Sequence, residues 1–283
     1  MKERTERSSR PRNQPSRSSP SSPSSPSSPS FITLLTDFGT ADSYVGEMKG
    51  VLLSGAPSAV LVDVTHEVSP GDVRSAAYLL GRTWHRFPAG TVHLVVVDPG
   101  VGGTRHSLAM TAHGHSFVGP DNGVFTPVLH DAEVEAVVLR IAAEAAPTFH
   151  GRDVFAPAAA ALAGGAPLDT LGSPLDSFPV RLAYTEPKTK GQSLTGEIIY
   201  VDRFGSLVTN LPSQLIPAGA HLMVEDLDLG ELRRTFSDVA PGELVAYTGS
   251  GGSVEIAVRD GSAAERLSIG VGGRVWAGRR LSG

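Results

Sequence analysis

From Phe31 to about residue 180, apolar runs of strand length alternate with stretches whose apolar residues recur at helical spacing. Ile32 to Thr36, Val60 to Val62 and Val95 to Val97 are continuous apolar or β-branched runs, the pattern of strands buried on both faces. Ser43 to Ser54 places Val45, Met48 and Leu52 on one helical face, and Asp72 to Trp84 does the same with Val73, Ala76, Ala77 and Leu80 behind an Asp72 N-cap. Asp153 to Gly164 predicts an alanine-rich helix capped by Asp153 and stopped by glycines. Strands alternating with helices imply an α/β fold with a mainly parallel sheet.

Beyond the proline-bearing stretch Tyr184 to Lys188 the pattern changes. Leu194 to Val201, Leu207 to Asn210, His221 to Val224, Leu244 to Thr248, Val254 to Val258 and Gly272 to Ala277 read as short strands with no helix of any length between them. That spacing predicts a smaller C-terminal antiparallel β-barrel domain. The chain thus divides into an N-terminal α/β domain over 31–185 and the barrel domain over 191–283. Residues 1–30 are rich in Ser, Pro and Arg and carry no apolar periodicity, so they read as a disordered tail. They contain no apolar core of a secretory signal, and Glu3, Glu6 and the prolines oppose an amphipathic transit helix.

Composition adds exclusions. Hydrophobic content of 40%, charged content of 19%, a net charge of -5 and a pI near 6.0 are ordinary for a globular protein and leave no basic footprint for nucleic acid. The absence of cysteine removes disulfides, thiolate metal sites and a cysteine nucleophile. No apolar run approaches the roughly 18 residues that span a bilayer. A cytoplasmic protein with neither nucleic-acid nor membrane partner is expected.

Three strands end in carboxylates: Asp37 before Phe38-Gly39, Asp63 before Val64-Thr65-His66, and Asp98 before Pro99-Gly100. In an open parallel sheet, ligands bind beyond the carboxyl ends of the strands, where these aspartates would gather. Turn chemistry alone accounts for any single Asp-Gly. The loop after Asp98 returns Arg105 within reach of that carboxylate. His150 stands at a helix entrance behind an aromatic residue, either as a structural histidine or facing a crevice. His113-Gly114-His115 has metal-ligand spacing, but a hairpin tip would leave both rings in solvent with no third ligand. Pro120-Asp121-Asn122-Gly123 is a turn, Asp202 ends a strand before another, and Glu255 reads as an outward residue of an alternating strand. No nucleophile elbow, phosphate-binding Walker loop or dinucleotide fingerprint is present.

Thr36-Asp37-Phe38-Gly39, Tyr44-Val45-Gly46-Glu47-Met48-Lys49, Val62-Asp63-Val64-Thr65-His66, Val97-Asp98-Pro99-Gly100-Val101-Gly102, Pro120-Asp121-Asn122-Gly123 and Thr148-Phe149-His150-Gly151-Arg152-Asp153 together resemble the S-adenosyl-L-methionine hydroxide adenosyltransferases, hydrolase relatives of the fluorinases and chlorinases. Asp202-Arg203-Phe204-Gly205 and Gly261 to Leu267 continue the resemblance, which runs in order from Phe31 to the end. It implies a homotrimer that binds S-adenosyl-L-methionine between subunits and uses no metal or other cofactor. Water would attack ribose C5′ and leave adenosine and L-methionine. The family's Asp-Arg-His set falls on Asp98, Arg105 and His150. Its ribose-gripping acid falls on Asp37 and its methionine-amine acid on Asp202. Asp42, Asn122, Ser206, Tyr247, Ser250, Glu255 and Val258 fall on substrate-lining positions.

Halide-using relatives carry Tyr-Pro where this chain has Asp98-Pro99, and a buried carboxylate there would repel a halide. One departure is Ser206, where the family usually has asparagine and thus a second polar group. Two other readings follow from the residues: a non-catalytic nucleoside-binding protein on this scaffold, and a metal-dependent phosphohydrolase built on His113 and His115.

Overall fold

The computed structural model describes residues 30–278, so the disordered tail expected over 1–30 lies outside the described residues apart from Ser30. The N-terminal part contains β1 (Phe31–Thr36), α1 (Tyr44–Gly55), β2 (Val60–Thr65), α2 (Val73–Thr83), β3 (Val92–Val96), β4 (Ser107–Ala112), β5 (His115–Pro120), β6 (Glu135–Leu139), α3 (Ala156–Ala163) and β7 (Gly172–Pro174). Its seven strands run in the order β2-β1-β3-β5-β4-β6-β7. The β2-β1-β3-β5 half is parallel, and β4, β6 and β7 extend it in antiparallel fashion. Every residue of β3 is buried, His93 included, as befits a central strand covered on both faces.

Two cores form, one on each face of the sheet. Met48 and Leu52 of α1 and Val154, Phe155 and the α3 alanines pack on Ile32, Leu34 and Leu94. Ala76 and Leu80 of α2 pack on Leu35, Val95 and Phe117 from the other side. The alanine content of α3 has a packing reason: a Cβ placed on Gly55 of α1 would lie 2.8 Å from that of Ala160, so only small residues allow this close helix crossing. Asp72 caps α2 as its position predicts, accepting a 3.0 Å bond from the Ser75 amide.

Asp153, by contrast, does not cap the third helix. The chain enters α3 through a π-helical turn over Gly151–Phe155, and Asp153 sits inside it. Its carboxylate accepts the Ala146 amide at 2.9 Å and a two-pronged contact from Arg152 at 2.6 and 2.9 Å. That pairing holds its carboxyl below the usual carboxylate range. The acid was worth more as an anchor for the preceding loop than as a cap.

The C-terminal part contains β8 (Lys188–Lys190), β9 (Ser193–Val201), β10 (Leu207–Pro212), β11 (His221–Val224), β12 (Leu227–Glu231), β13 (Leu244–Thr248), β14 (Ser253–Val258), α4 (Ala263–Leu267) and β15 (Arg274–Gly278). The antiparallel order is β12-β11-β15-β9-β10-β14-β13, with β8 beside β9. A bridge from Arg233 to Tyr247 brings the chain after β12 against β13, so the sheet curls nearly into a barrel around Leu194, Ile198, Leu211, Leu222 and Ile256. Strand β12 and the one-turn α4 carry no periodic signal of their own: Asp226 to Glu231 is too polar and glycine-bearing to read as a strand. Among the described residues no helix is long and apolar enough to cross a membrane.

His113 and His115 occupy the β4–β5 hairpin tip but do not face solvent together. His113 stacks on Trp84 at 5.0 Å. His115 is buried, with Nδ1 3.2 Å from Nε2 of His93, whose Nδ1 contacts Thr33 Oγ1 at 2.8 Å. Both rings pack on Trp84, His115 is further engaged by His93, and among the described residues no group of three or more His, Asp or Glu is placed to hold a metal ion, which leaves the phosphohydrolase reading without a ligand set. Burial, aided by His115, pushes His93 down to about 3.

Between pH 6.5 and that value the unfolded chain binds a proton that the folded His93 refuses, so stability falls as pH falls through this window. At pH 5 the loss should be about 2 kcal/mol. Denaturant midpoints at pH 7 and pH 5 should therefore diverge more in the native protein than in His93→Gln. An equal divergence in both would exclude this origin.

Candidate active site

The parallel register sets Thr36 level with Val96, so Asp37 and Asp98 leave the carboxyl ends of neighbouring strands β1 and β3. Both line an open cleft of about 510 Å³ with Phe38, Tyr44, Pro70, Gly71 and Pro99. Asp37 Oδ2 accepts the Gly71 amide at 2.7 Å, and Gly71 takes the positive φ of 74° that turns this N–H inward. Asp63 does not join them. It lies within β2, exposed, bound to Lys49 Nζ at 2.6 Å and 3.1 Å from His66 Nε2. His66 in turn touches Thr36 Oγ1 at 2.9 Å through Nδ1, and Thr36 Oγ1 accepts the Phe38 amide at 3.3 Å. The third aspartate thus braces the end of β1 from behind.

Arg105 closes on Asp98 as its loop predicts. Nε donates to Oδ1 at 3.0 Å and Nη2 to Oδ2, while Nη1 donates to Ser107 Oγ at 2.7 Å. Nη2 also lies 2.9 Å from His150 Nδ1. The side chains of Arg105 and Asp98 are 10% and 5% exposed and His150 is 5% exposed, so the trio is withdrawn from bulk water. The loop can reach His150 because Gly102, at φ 74°, lies so close to the Pro147 carbonyl that a Cβ would stand 2.6 Å from its oxygen.

Arginine has no lone pair to offer, so His150 Nδ1 must be the acceptor and the neutral ring carries its proton on Nε2. Burial first, and then the Arg105 charge, lower the His150 pKa against the opposing pull of Asp98 and Asp153. The arrangement presents a carboxylate acceptor and an imidazole N–H donor held by one fixed cation. Such a set can orient a small polar nucleophile.

Other expected site residues fall in three places. Asn122 donates Nδ2 to the Val97 carbonyl at 2.9 Å, tying down the residue before Asp98. Asp42 is exposed in the loop before α1 and outside the residues lining this cleft. Asp202, Ser250 and Glu255 line a second cleft of about 1000 Å³ between the two sheets; Ser206 lies in the turn before β10, and Tyr247 and Val258 lie on β13 and β14. Asp202 Oδ1 accepts the amides of Phe204 and Ser206 at 2.9 and 2.8 Å. Glu255 is not a solvated outward residue: Tyr247 Oη donates to it at 2.9 Å, and burial and that carboxylate raise the phenol. The two clefts meet at one loop, with Pro70 and Gly71 on the first and Ser69 and Asp72 on the second.

Sequence reading assigned no role to the aromatics here. Phe38, Tyr44 and Phe149 form a cluster with ring centroids 5.3 to 6.0 Å apart beside Asp37, and Phe204 stands 72% exposed on the second cleft. Phe38 follows Asp37 and Phe149 precedes His150 in the chain, and both also pack against the first core, while Tyr44 opens α1.

Protonating His150 would set a second cation against Arg105. Its pKa should therefore lie below the ordinary histidine value of about 6.5, and NMR titration should place its midpoint on the acid side of that value. A midpoint at or above 6.5 would contradict the arrangement.

The sequence and the fold have counterparts among known proteins. The family model for the SAM hydroxide adenosyltransferase N-terminal domain matches residues 32–172, and that for the C-terminal domain matches 196–276. The "(R)-S-adenosyl-L-methionine hydrolase" of Salinispora tropica is 40% identical over 257 residues, covering 87% of this chain and 96% of the relative. The protein of the same name from Thermus thermophilus is 41% identical, covering 84% and 95%. A "Fluorinase" from Actinoplanes is 33% identical, covering 64% and 71%. A solved structure of an uncharacterized conserved protein from Thermotoga maritima superposes with a TM-score of 0.81 at 37% identity, covering 88% of this chain and all of that one. With both family domains matched in order across the two sheets, the chain belongs to the SAM hydroxide adenosyltransferase family.

Proposed function

We propose that this protein hydrolyses S-adenosyl-L-methionine at ribose C5′ to adenosine and L-methionine, acting on the R sulfonium epimer that the names of its relatives specify. The observation that carries the reading is the buried Asp98–Arg105–His150 trio at the strand end beside Asp37. Water binds between the Asp98 carboxylate and the His150 N–H with a lone pair aimed along the C5′–S bond. Attack forms the C5′–O bond as the C5′–S pair returns to sulfur, and methionine leaves as a neutral thioether. The water's surplus proton passes to Asp98 and then to solvent. Arg105 keeps the carboxylate in place and favours the developing hydroxide, since it stays charged throughout. The sulfonium leaves without a proton donor, so positioning in a dry site carries the catalysis.

Asp37, with one carboxylate oxygen on the Gly71 amide, grips the ribose hydroxyls. Asp202 receives the methionine ammonium, and Ser206, Tyr247, Ser250, Glu255 and Val258 surround the remainder, with Asn122 and Asp42 at its edge. The set is divided between two clefts of one chain, and Phe204 stays 72% exposed within its own protomer. Both facts support a homotrimer in which the Asp37 and Asp98 face of one subunit meets the Asp202 face of the next. Each protomer would then give its Asp37–Asp98 cleft to one site and its Asp202 cleft, which residues of both 31–185 and 191–283 line, to another.

Supplied with mixed sulfonium epimers in ¹⁸O-water, the protein should consume the R form and release adenosine labelled at the 5′ oxygen beside unlabelled methionine. Unlabelled adenosine would exclude attack by water. Asp98→Ala should lower turnover by about 10²–10⁴-fold with adenosine affinity retained, whereas Asp37→Ala should chiefly weaken adenosine binding. Identical losses in both variants would refute the division of roles. Light scattering should give the active species three times the protomer mass; an active monomer would overturn the shared site.

A further inference from the structure

The tail of the proposed substrate carries an ammonium and a carboxylate on one carbon, and the roles assigned so far account for the ammonium alone. The second cleft is rich in acids, among them Glu67, Asp72, Asp202 and Glu255. Among the described residues, two cationic side chains line it, Arg82 and Arg203. Arg203 is exposed, its guanidinium lying over the Phe204 ring at 5.6 Å. Arg82 is half-buried near the end of α2 and, among the described residues, forms no ion pair with any of these acids. Its Nη2 donates instead to the neutral Ser250 Oγ at 2.9 Å.

The surroundings hold that guanidinium in place. Tyr78, one turn earlier on α2, stacks on Tyr200 with centroids 4.5 Å apart, which fixes α2 against the barrel. Gly251 gives it room: a Cβ there would stand 2.2 Å from Arg82 Nη1. The Tyr78 phenol lies within electrostatic reach of Arg82, Glu255, Tyr200 and Asp202 together, so cation and acid flank one spot. Asp202 keeps Oδ1 for the turn amides, which leaves Oδ2 for an incoming ammonium.

Resting on the hydrolase reading, we infer that Arg82, with Ser250, is the specificity determinant that binds the α-carboxylate of the methionine moiety. Guanidinium geometry matches a carboxylate, and Ser250, while accepting from Arg82, still has its own O–H to donate to the second carboxylate oxygen. An ammonium on Asp202 and a carboxylate on Arg82 together select an amino acid tail over a simple amine.

The test compares kcat/KM for S-adenosyl-L-methionine and for its decarboxylated analogue, which keeps the amine and loses the carboxylate. The native protein should prefer the full substrate. Arg82→Met should lower kcat/KM for it by about 10- to 100-fold, mainly through KM, and leave the analogue unchanged. Arg82→Lys should recover part of the preference. Equal losses on both substrates, or an unchanged ratio, would show that Arg82 only latches α2 to the barrel and would overturn the inference. No adenosine from the native protein with either substrate would overturn the hydrolase reading, and this assignment with it.

Discussion

One guanidinium shared between a carboxylate and an imidazole is the contact on which the first cleft depends. Asp98 and Arg105 are both nearly covered, and charges so placed persist only when matched to each other and to further hydrogen bonds. Arg105 satisfies this by spending its donors on Asp98, Ser107 and His150 at once. Because it can only donate, each neighbour must present a lone pair. The protonation state of the imidazole and the direction of its remaining N–H follow from that single fact.

The three residues come from three kinds of backbone, and each is held by something outside the trio. Asp98 follows the end of a strand where Asn122 ties down the Val97 carbonyl. Arg105 rides a glycine loop pressed onto Pro147. His150 opens a turn anchored by the Glu47–Arg152–Asp153 network, in which Arg152 spans helix α1 and the turn and lies 4.8 Å over the Phe149 ring. Bridging separate elements lets a side-chain cluster keep its geometry without a metal or disulfide to staple it.

Much of this was legible in the chain. Strand ends, the return of Arg105 and the change from α/β to barrel all follow from periodicity and punctuation, because those signals are local. The failures were of another kind. Asp63 shares its strand-end pattern with Asp37 and Asp98, yet β2 is the sheet edge, and nothing in a sequence states which strand lies outermost. His115 pairs with His93, 22 residues away in sequence, and Glu255 with Tyr247 across a hairpin, so neither burial follows from nearest neighbours. Asp153 fitted a cap by position, but Arg152 and the Ala146 amide claimed it first.

The π-helical turn over Gly151–Phe155 matters for how such a site changes over evolutionary time. A π turn accommodates one residue more than the regular spiral would, and each residue of a regular helix advances the chain by about 100°. Deleting one residue here could leave α3 intact and its alanines still packed, while swinging whatever precedes Gly151 away from Arg105. Gly151 itself is pinched between Met48, Phe149 and Phe38, with prospective Cβ contacts of 3.2 to 3.4 Å, so the turn has little room to absorb such a shift. Loss of chemistry would then need only a single codon and no loss of fold, whereas new chemistry is reached by exchanging residues within an unchanged count. Insertions and deletions in this segment should therefore be purged far more strictly than the variability of an ordinary loop-to-helix junction.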